Sequence, residues 1–174
     1  FRYIPPSDTL SIVIIVSNFH HRRGGFWLPL QIGTFAEVQK KNANQWAGDY
    51  ATISLLLGFA LFFLVFFTLY PKDRIMAFFS MALIGLALRP LFSTPYLIYD
   101  FYNLSWIWTV RLEYISLFIT MFGWTWFADS LYPSKLIRII SYIITVTFSI
   151  AFIITLVSPV KIFSYSVIGY YPSM

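Results

Sequence analysis

The chain has 174 residues, 59% of them hydrophobic and only 11% charged, against about 25% charged in an ordinary soluble domain. So little polar surface cannot clothe a water-soluble body, and the apolar residues come in long blocks rather than in a period that folds them inward. The formal charge of +5 is spread along the chain, which argues for orienting charges beside membrane helices rather than for nucleic acid, and the lack of cysteine removes disulfide, thiol and thiolate-metal chemistry.

The first fifty residues differ from the rest. Residues 9–16 form a short β-branched run after Pro5 and Pro6, and residues 26–32 a second extended run set off by Gly24, Gly25 and Gly33; two strands joined by a basic turn is the simplest reading. Two strands do not make a stable fold by themselves, so their partner strands are expected upstream. Phe1 to Asp8 also lacks the charged-then-apolar pattern of a signal peptide, so the chain reads as a piece of a longer protein. Residues 34–48, polar and carrying Glu37, Lys40 and Lys41, form a connector, either a short helix or a linker.

The connector leads into the transmembrane part, residues 49–174. Four stretches have membrane length, 51–70, 75–96, 104–128 and 139–160, each near the 17 to 25 residues of a spanning helix. A fifth apolar run begins at 162. Between them lie Pro71-Lys72-Asp73-Arg74, Ser93-Thr94-Pro95 and the segment around Pro133, which read as turns between antiparallel neighbours. Tyrosine and tryptophan cluster at the span ends, at the level of lipid headgroups. The expected fold is a membrane all-α, polytopic antiparallel helix bundle preceded by a small β remnant. Lys72, Arg74, Lys135 and Arg138 fall on one side, which makes that side cytoplasmic and the amino-terminal part extracytoplasmic; Lys40 and Lys41 run against this assignment.

Three ionisable residues fall within apolar spans: Arg89, Arg111 and Glu113. A charge in a span is costly and is usually paired or functional. At 1.5 Å of rise per residue, Arg89 and Glu113 both come to rest about 9 Å inside the outer face of a core about 30 Å thick. An ion pair joining the second and third helices follows as the expectation, either as a static brace or with a role in relaying signal or holding a ligand. Arg111, two residues from Glu113, points about 200° away and is expected to snorkel outward. Outside the membrane, His20-His21-Arg22-Arg23 reads most plainly as a solvated turn, since adjacent imidazoles on a strand face opposite ways and do not chelate one ion. Its functional reading is an anion or saccharide contact made by His20 and Arg22 beside the ring of Trp27. Asn103-Leu104-Ser105 matches a glycosylation sequon, a tripeptide common by chance. The carboxylates Asp100, Glu113 and Asp129 are assigned to different depths or sides, and no phosphate loop, nucleophile elbow or zinc motif is present. Neither catalysis, a cofactor nor a metal is expected.

Three features in sequence order carry a family resemblance: the run Val16-Ser17-Asn18-Phe19-His20-His21-Arg22-Arg23-Gly24-Gly25-Phe26-Trp27 with Leu30-Gln31-Ile32-Gly33; Gly48-Asp49-Tyr50 leading into the first span; and Arg111-Leu112-Glu113-Tyr114-Ile115-Ser116 with Leu131-Tyr132-Pro133. On these the chain resembles the bacterial seven-transmembrane receptors with diverse intracellular signalling modules. The resemblance implies that residues 1–33 are the last strands of an extracytoplasmic jelly-roll sensor similar to carbohydrate-binding modules. It further implies seven helices in the inner membrane, a small-molecule ligand such as a carbohydrate, a cytoplasmic effector domain in cis, and an arrangement open to homodimerisation. The rival readings are a piece of a transporter or channel, with Arg89 and Glu113 on the path, and a passive membrane scaffold.

Overall fold

The computed structural model describes residue 13, residues 33–160 and residues 162–163. The two expected strands, and with them the β remnant, lie outside the described residues. What is described is helical: α1 (Phe35–Leu69), α2 (Arg74–Phe92), a 3-10 turn (Leu97–Asp100), α3 (Trp106–Leu131) and α4 (Lys135–Val157).

Connector and first span are one helix. Its 35 residues extend about 52 Å at 1.5 Å per residue, some 20 Å more than the hydrocarbon layer needs. Thr34 starts it with a reciprocal capping box. The Thr34 Oγ1 accepts the Glu37 amide at 3.3 Å while the Thr34 amide donates to Glu37 Oε2 at 3.0 Å, which satisfies two of the donors that a helix start leaves open. No proline interrupts the run until Pro71, and Gly48, Asp49 and Gly58 pass inside the helix without ending it.

Prolines account for the other boundaries. The second span, expected to reach Tyr96, ends at Phe92. Pro90 withdraws a ladder donor in the last turn, and Pro95 disfavours helical geometry at Thr94. The chain then turns through a cis Thr94–Pro95 bond and a left-handed Tyr96 (φ 62°). At the other end of the bundle, α3 runs on to Leu131, and Ser134 begins α4 four residues ahead of expectation by accepting the Ile137 amide at 3.2 Å. Pro159 closes α4 early, at Val157.

The helices stand side by side in chain order, each packed on the next. Their registers are antiparallel. Phe63 meets Phe79 and the Ser80 Oγ donates to the Ala60 carbonyl at 2.8 Å between α1 and α2. Gly85 faces Thr120 and Ala82 faces Gly123 between α2 and α3. Phe118 meets Phe148, and Trp126 Nε1 donates to Thr145 Oγ1 at 3.0 Å, between α3 and α4. The α2–α3 contact is the tightest. A Cβ on Gly123 would stand 2.5 Å from the Ala82 amide nitrogen, and one on Gly85 2.6 Å from that of Thr120. Backbones come this close only through small residues, the usual means of helix association where lipid offers no hydrophobic drive.

Three helices, α1, α2 and α4, are long and apolar enough to cross a membrane. The expectation of a fourth such span at 104–128 meets a helix of sufficient length, 26 residues, whose apolar character is diluted by Arg111, Glu113, Asp129 and its tryptophans. Like α2, which lies between α1 and α3, it is enclosed by two neighbours, α2 and α4. The protein is therefore a membrane protein whose span least apolar over a membrane length lies inside the row, as lipid as a solvent requires.

Candidate functional site

The expected site residues of the bundle gather where α2 ends and α3 begins. Arg89 lies in the last turn of α2 and Glu113 in the second turn of α3, both half-buried. Arg89 is the cation whose field acts on Glu113, but the two do not come within the 4.0 Å of a direct ion pair; among the described residues that contact is made by Arg138 and Asp129. They are neighbours across the α2–α3 seam rather than a clasped pair.

Arg111 faces the other way, as the helical period requires, yet it does not snorkel outward. Its two terminal nitrogens donate to the carbonyls of Leu156 at 3.0 Å and Ser158 at 3.2 Å, and its guanidinium lies 5.3 Å from the ring centre of Trp108. The reason is the end of α4. Its last carbonyls have no partner within the helix and carry partial negative charge, and hydrocarbon supplies no water to satisfy them. A planar fork of donors on the next helix does so. The Nε of Arg111 is buried with no partner. Just below, Val160 and Phe163 pack on Val110, with Tyr114 and Ile154 against them, so the chain beyond α4 is held to the same corner.

A second cluster ties α1 to this end of the bundle. The Tyr50 hydroxyl donates to Asp100 Oδ2 at 2.8 Å, its ring meets Phe101 edge-on at 6.1 Å, and the carboxylate acceptor holds the phenol above its ordinary pKa. Asp49 Oδ2 is buried without a partner. In the same turn the Tyr99 hydroxyl and Thr109 Oγ1 stand 3.0 Å apart. Sequence reasoning missed the Tyr50–Asp100 link. The residues are fifty apart and only the bend at Ser93–Tyr96 brings them together. It also missed Asp129, which is 5% exposed and holds Arg138 at 3.6 Å across the α3–α4 turn.

His20, Arg22 and Trp27 lie outside the described residues. Among the described residues no group of three or more histidines, cysteines or carboxylates is placed to hold a metal. The bundle has an open apolar groove of about 310 Å³ whose lining includes Met81, Phe118, Phe122, Phe148 and Phe152, with no charged side chain in it. Such a surface is suited to apolar contacts. The charged side chains sit toward the helix ends, and among the described residues Arg111, Asp100 and Asp129 fasten one element to another. No family model, no curated protein and no solved structure matches the chain.

Proposed function

We propose that the chain is the membrane part of a bacterial receptor of the seven-transmembrane class, with residues 1–33 belonging to an extracytoplasmic sensor and an effector domain following in cis on the cytoplasmic side. The ligand is a small molecule, a carbohydrate by the resemblance of the amino-terminal segment. The inner membrane is its location, and the rim carrying Lys72, Arg74, Lys135 and Arg138 its cytoplasmic face. Ligand binding acts by favouring one of two arrangements of the bundle, which requires the ligand to bind that arrangement better.

The observation that carries this reading is the unbroken α1. A helix that starts with a capping box in the extramembrane segment and runs without a break through the first span transmits rotation or displacement as a rigid rod. At the membrane edge its Tyr50 grips the α2–α3 turn through Asp100, so a movement of the connector reaches the end of the bundle that carries Arg89 and Glu113 at the α2–α3 seam and Arg111 against the end of α4. A transport path would want polar groups near the middle of the bilayer, whereas the charges of α2 and α3 lie toward the helix ends, Arg89, Arg111 and Glu113 at one and Arg74 and Asp129 at the other, and the mid-bundle groove is apolar.

The chain's freedom from cysteine makes the test direct. Spin labels on Gln45→Cys and Asn103→Cys in the intact protein, reconstituted in nanodiscs, report the distance between connector and α2–α3 turn while a panel of mono- and disaccharides is added. At least one sugar is expected to shift that distance, and replacing Ala43, Asn44 and Ala47 by glycine is expected to abolish the shift while leaving sugar binding intact. Accumulation of sugar inside proteoliposomes without any shift would instead assign the protein to transport. Binding with an unchanged distance would leave a scaffold.

A further inference from the structure

Two turns of the bundle are built alike. Leu69-Tyr70-Pro71 ends α1 and Leu131-Tyr132-Pro133 ends α3. Tyr70 has φ −126° and ψ 68° and donates its amide to the Phe66 carbonyl; Tyr132 has φ −126° and ψ 73° and donates to the Ala128 carbonyl, both at 2.9 Å. A proline follows each, preventing another helical turn. Then Asp73 and Ser134 cap the next helices by accepting the amides of Ile75 and Ile137, each at 3.2 Å. The antiparallel registers put both turns at the same end of the bundle. Each projects its tyrosine, 65% exposed in both cases, beside exposed cations: Lys72 and Arg74 at the first turn, Lys135 and Arg138 at the second.

The acids of this rim are already engaged. Asp73 is occupied as an N-cap, and Asp129 is buried against Arg138. Lys72, Arg74 and Lys135 make no ion pair within 4.0 Å among the described residues. The opposite end differs: there Asp100 and Glu37 are exposed alongside Lys40 and Lys41.

We propose that the twin Leu-Tyr-Pro turns are seats for the headgroups of anionic phospholipids, with the tyrosine ring at the headgroup level and Lys72, Arg74 and Lys135 over the phosphates. The turns terminate membrane helices, so their side chains stand where headgroups are. Tyrosine is favoured at that depth, and unpaired cations beside it are complementary to an anionic lipid surface. The repetition of the Leu-Tyr-Pro step at both turns gives two discrete seats rather than a diffuse positive field, the first with two cations free of ion pairs among the described residues, Lys72 and Arg74, and the second with one, Lys135. The proposal does not depend on the receptor reading, since it needs only that the helices cross a membrane.

The test uses the full chain in nanodiscs of equal parts phosphatidylglycerol and phosphatidylcholine, with the lipids retained after release counted by native mass spectrometry. Phosphatidylglycerol is expected to be enriched on the wild type. The double variant Lys72→Gln/Arg74→Gln and the single variant Lys135→Gln should each weaken the enrichment, by about fivefold per charge removed. Lys40→Gln/Lys41→Gln at the opposite end, which changes net charge as much as the double variant, should leave it unchanged. Circular dichroism identifies any variant that has lost helix, and Tyr70→Phe with Tyr132→Phe then tests the seats without removing charge, with an expected smaller fall. Equal retention of the two lipids by the wild type would overturn the proposal. So would an equal fall in the Lys40/Lys41 variant, or displacement of the lipid by millimolar inorganic phosphate, which would make soluble phosphate the ligand.

Discussion

The α2–α3 seam and the first helix obey opposite rules. At the closest approach of the seam stand Ala82, Gly85, Thr120 and Gly123, small or hydroxylic, and the backbones touch; larger side chains such as Leu83, Leu117 and Phe118 are buried elsewhere on the same two helices. Along α1 only Ile53 and Ala60 are buried, while Leu55, Phe59, Leu61, Phe62 and Val65 stand exposed. In water this distribution would be inverted. In lipid, large apolar side chains gain nothing by leaving the solvent, and helices associate through close contact and hydrogen bonds. The difference teaches that small residues set the closest approach between helices, while large apolar side chains are free to face lipid as well as one another.

The largest expected effect tests that contrast directly. Gly123→Leu drives a side chain into the Ala82 backbone, where a Cβ alone would already lie 2.5 Å from the nitrogen and 2.7 Å from Cα. Overpacking of about 3 kcal/mol or more is expected, read as loss of the folded fraction in a detergent-unfolding titration. Leu61→Ala removes more apolar volume from a position that is 62% exposed, yet it should change stability by less than about 0.5 kcal/mol. A larger cost for Leu61→Ala than for Gly123→Leu would break the comparison.

Next comes the clamp on α4. Arg111→Met leaves the Leu156 and Ser158 carbonyls without their donors, at a cost of about 2 kcal/mol for hydrogen bonds from a charged group. Amide exchange is the better readout, because fraying is expected first at Ser158, whose N–H closes the last turn of α4 on the Ile154 carbonyl. Arg111→Lys should restore only part of the protection, since an ammonium lacks the planar fork that spans two carbonyls. Uniform loss of protection along α4 would show that Arg111 supports the whole helix rather than its end.

A smaller effect sharpens the view of α1. Ser80 Oγ to the Ala60 carbonyl is the hydrogen bond that joins α1 to α2 within the buried part of their contact. Ser80→Ala is expected to cost about 0.6 kcal/mol, the average for an interhelical bond in a membrane. Combined with Ala60→Leu, which separates the two backbones, the change should be no larger than that of Ala60→Leu alone.

Most of the helix order was legible because hydropathy blocks and prolines are local signals. Where boundaries moved, local chemistry moved them: Pro90 and Pro95 shortened α2, the Ser134 cap brought the start of α4 forward, and the absence of proline let the connector and the first span fuse across Gly48 and Asp49. The charged residues were legible as exceptions but not in their partners. Depth counting brought Arg89 and Glu113 to the same level, and the side-chain directions leave them outside direct contact. Arg111 found main-chain carbonyls, and every sequence position offers a carbonyl, so no residue type could announce it. Tyr50–Asp100 and Asp129–Arg138 depend on turns whose geometry is set by tertiary packing, beyond the reach of a one-dimensional pattern.

The smallest effect concerns the part of α1 that leaves the membrane, where water returns and ordinary helix rules apply. Two hydrogen bonds from Thr34, from its hydroxyl at 2.8 Å and its amide at 3.0 Å, hold the Glu37 carboxyl below its ordinary pKa. The folded value is depressed, so the capping box contributes its stabilisation above the unfolded pKa and loses it as the pH falls through the folded one. Acidification below the usual carboxylate range is therefore expected to fray the first turn at Phe35–Glu37 while the membrane half of the same helix keeps its amide protection. Thr34→Ala should return the Glu37 titration, followed through its carboxyl carbon shift, to the ordinary range and fray that turn at neutral pH. If the membrane half loses protection together with the first turn, α1 unfolds as one cooperative unit. The contrast between its water-exposed and lipid-exposed halves would then be one of composition, not of stability.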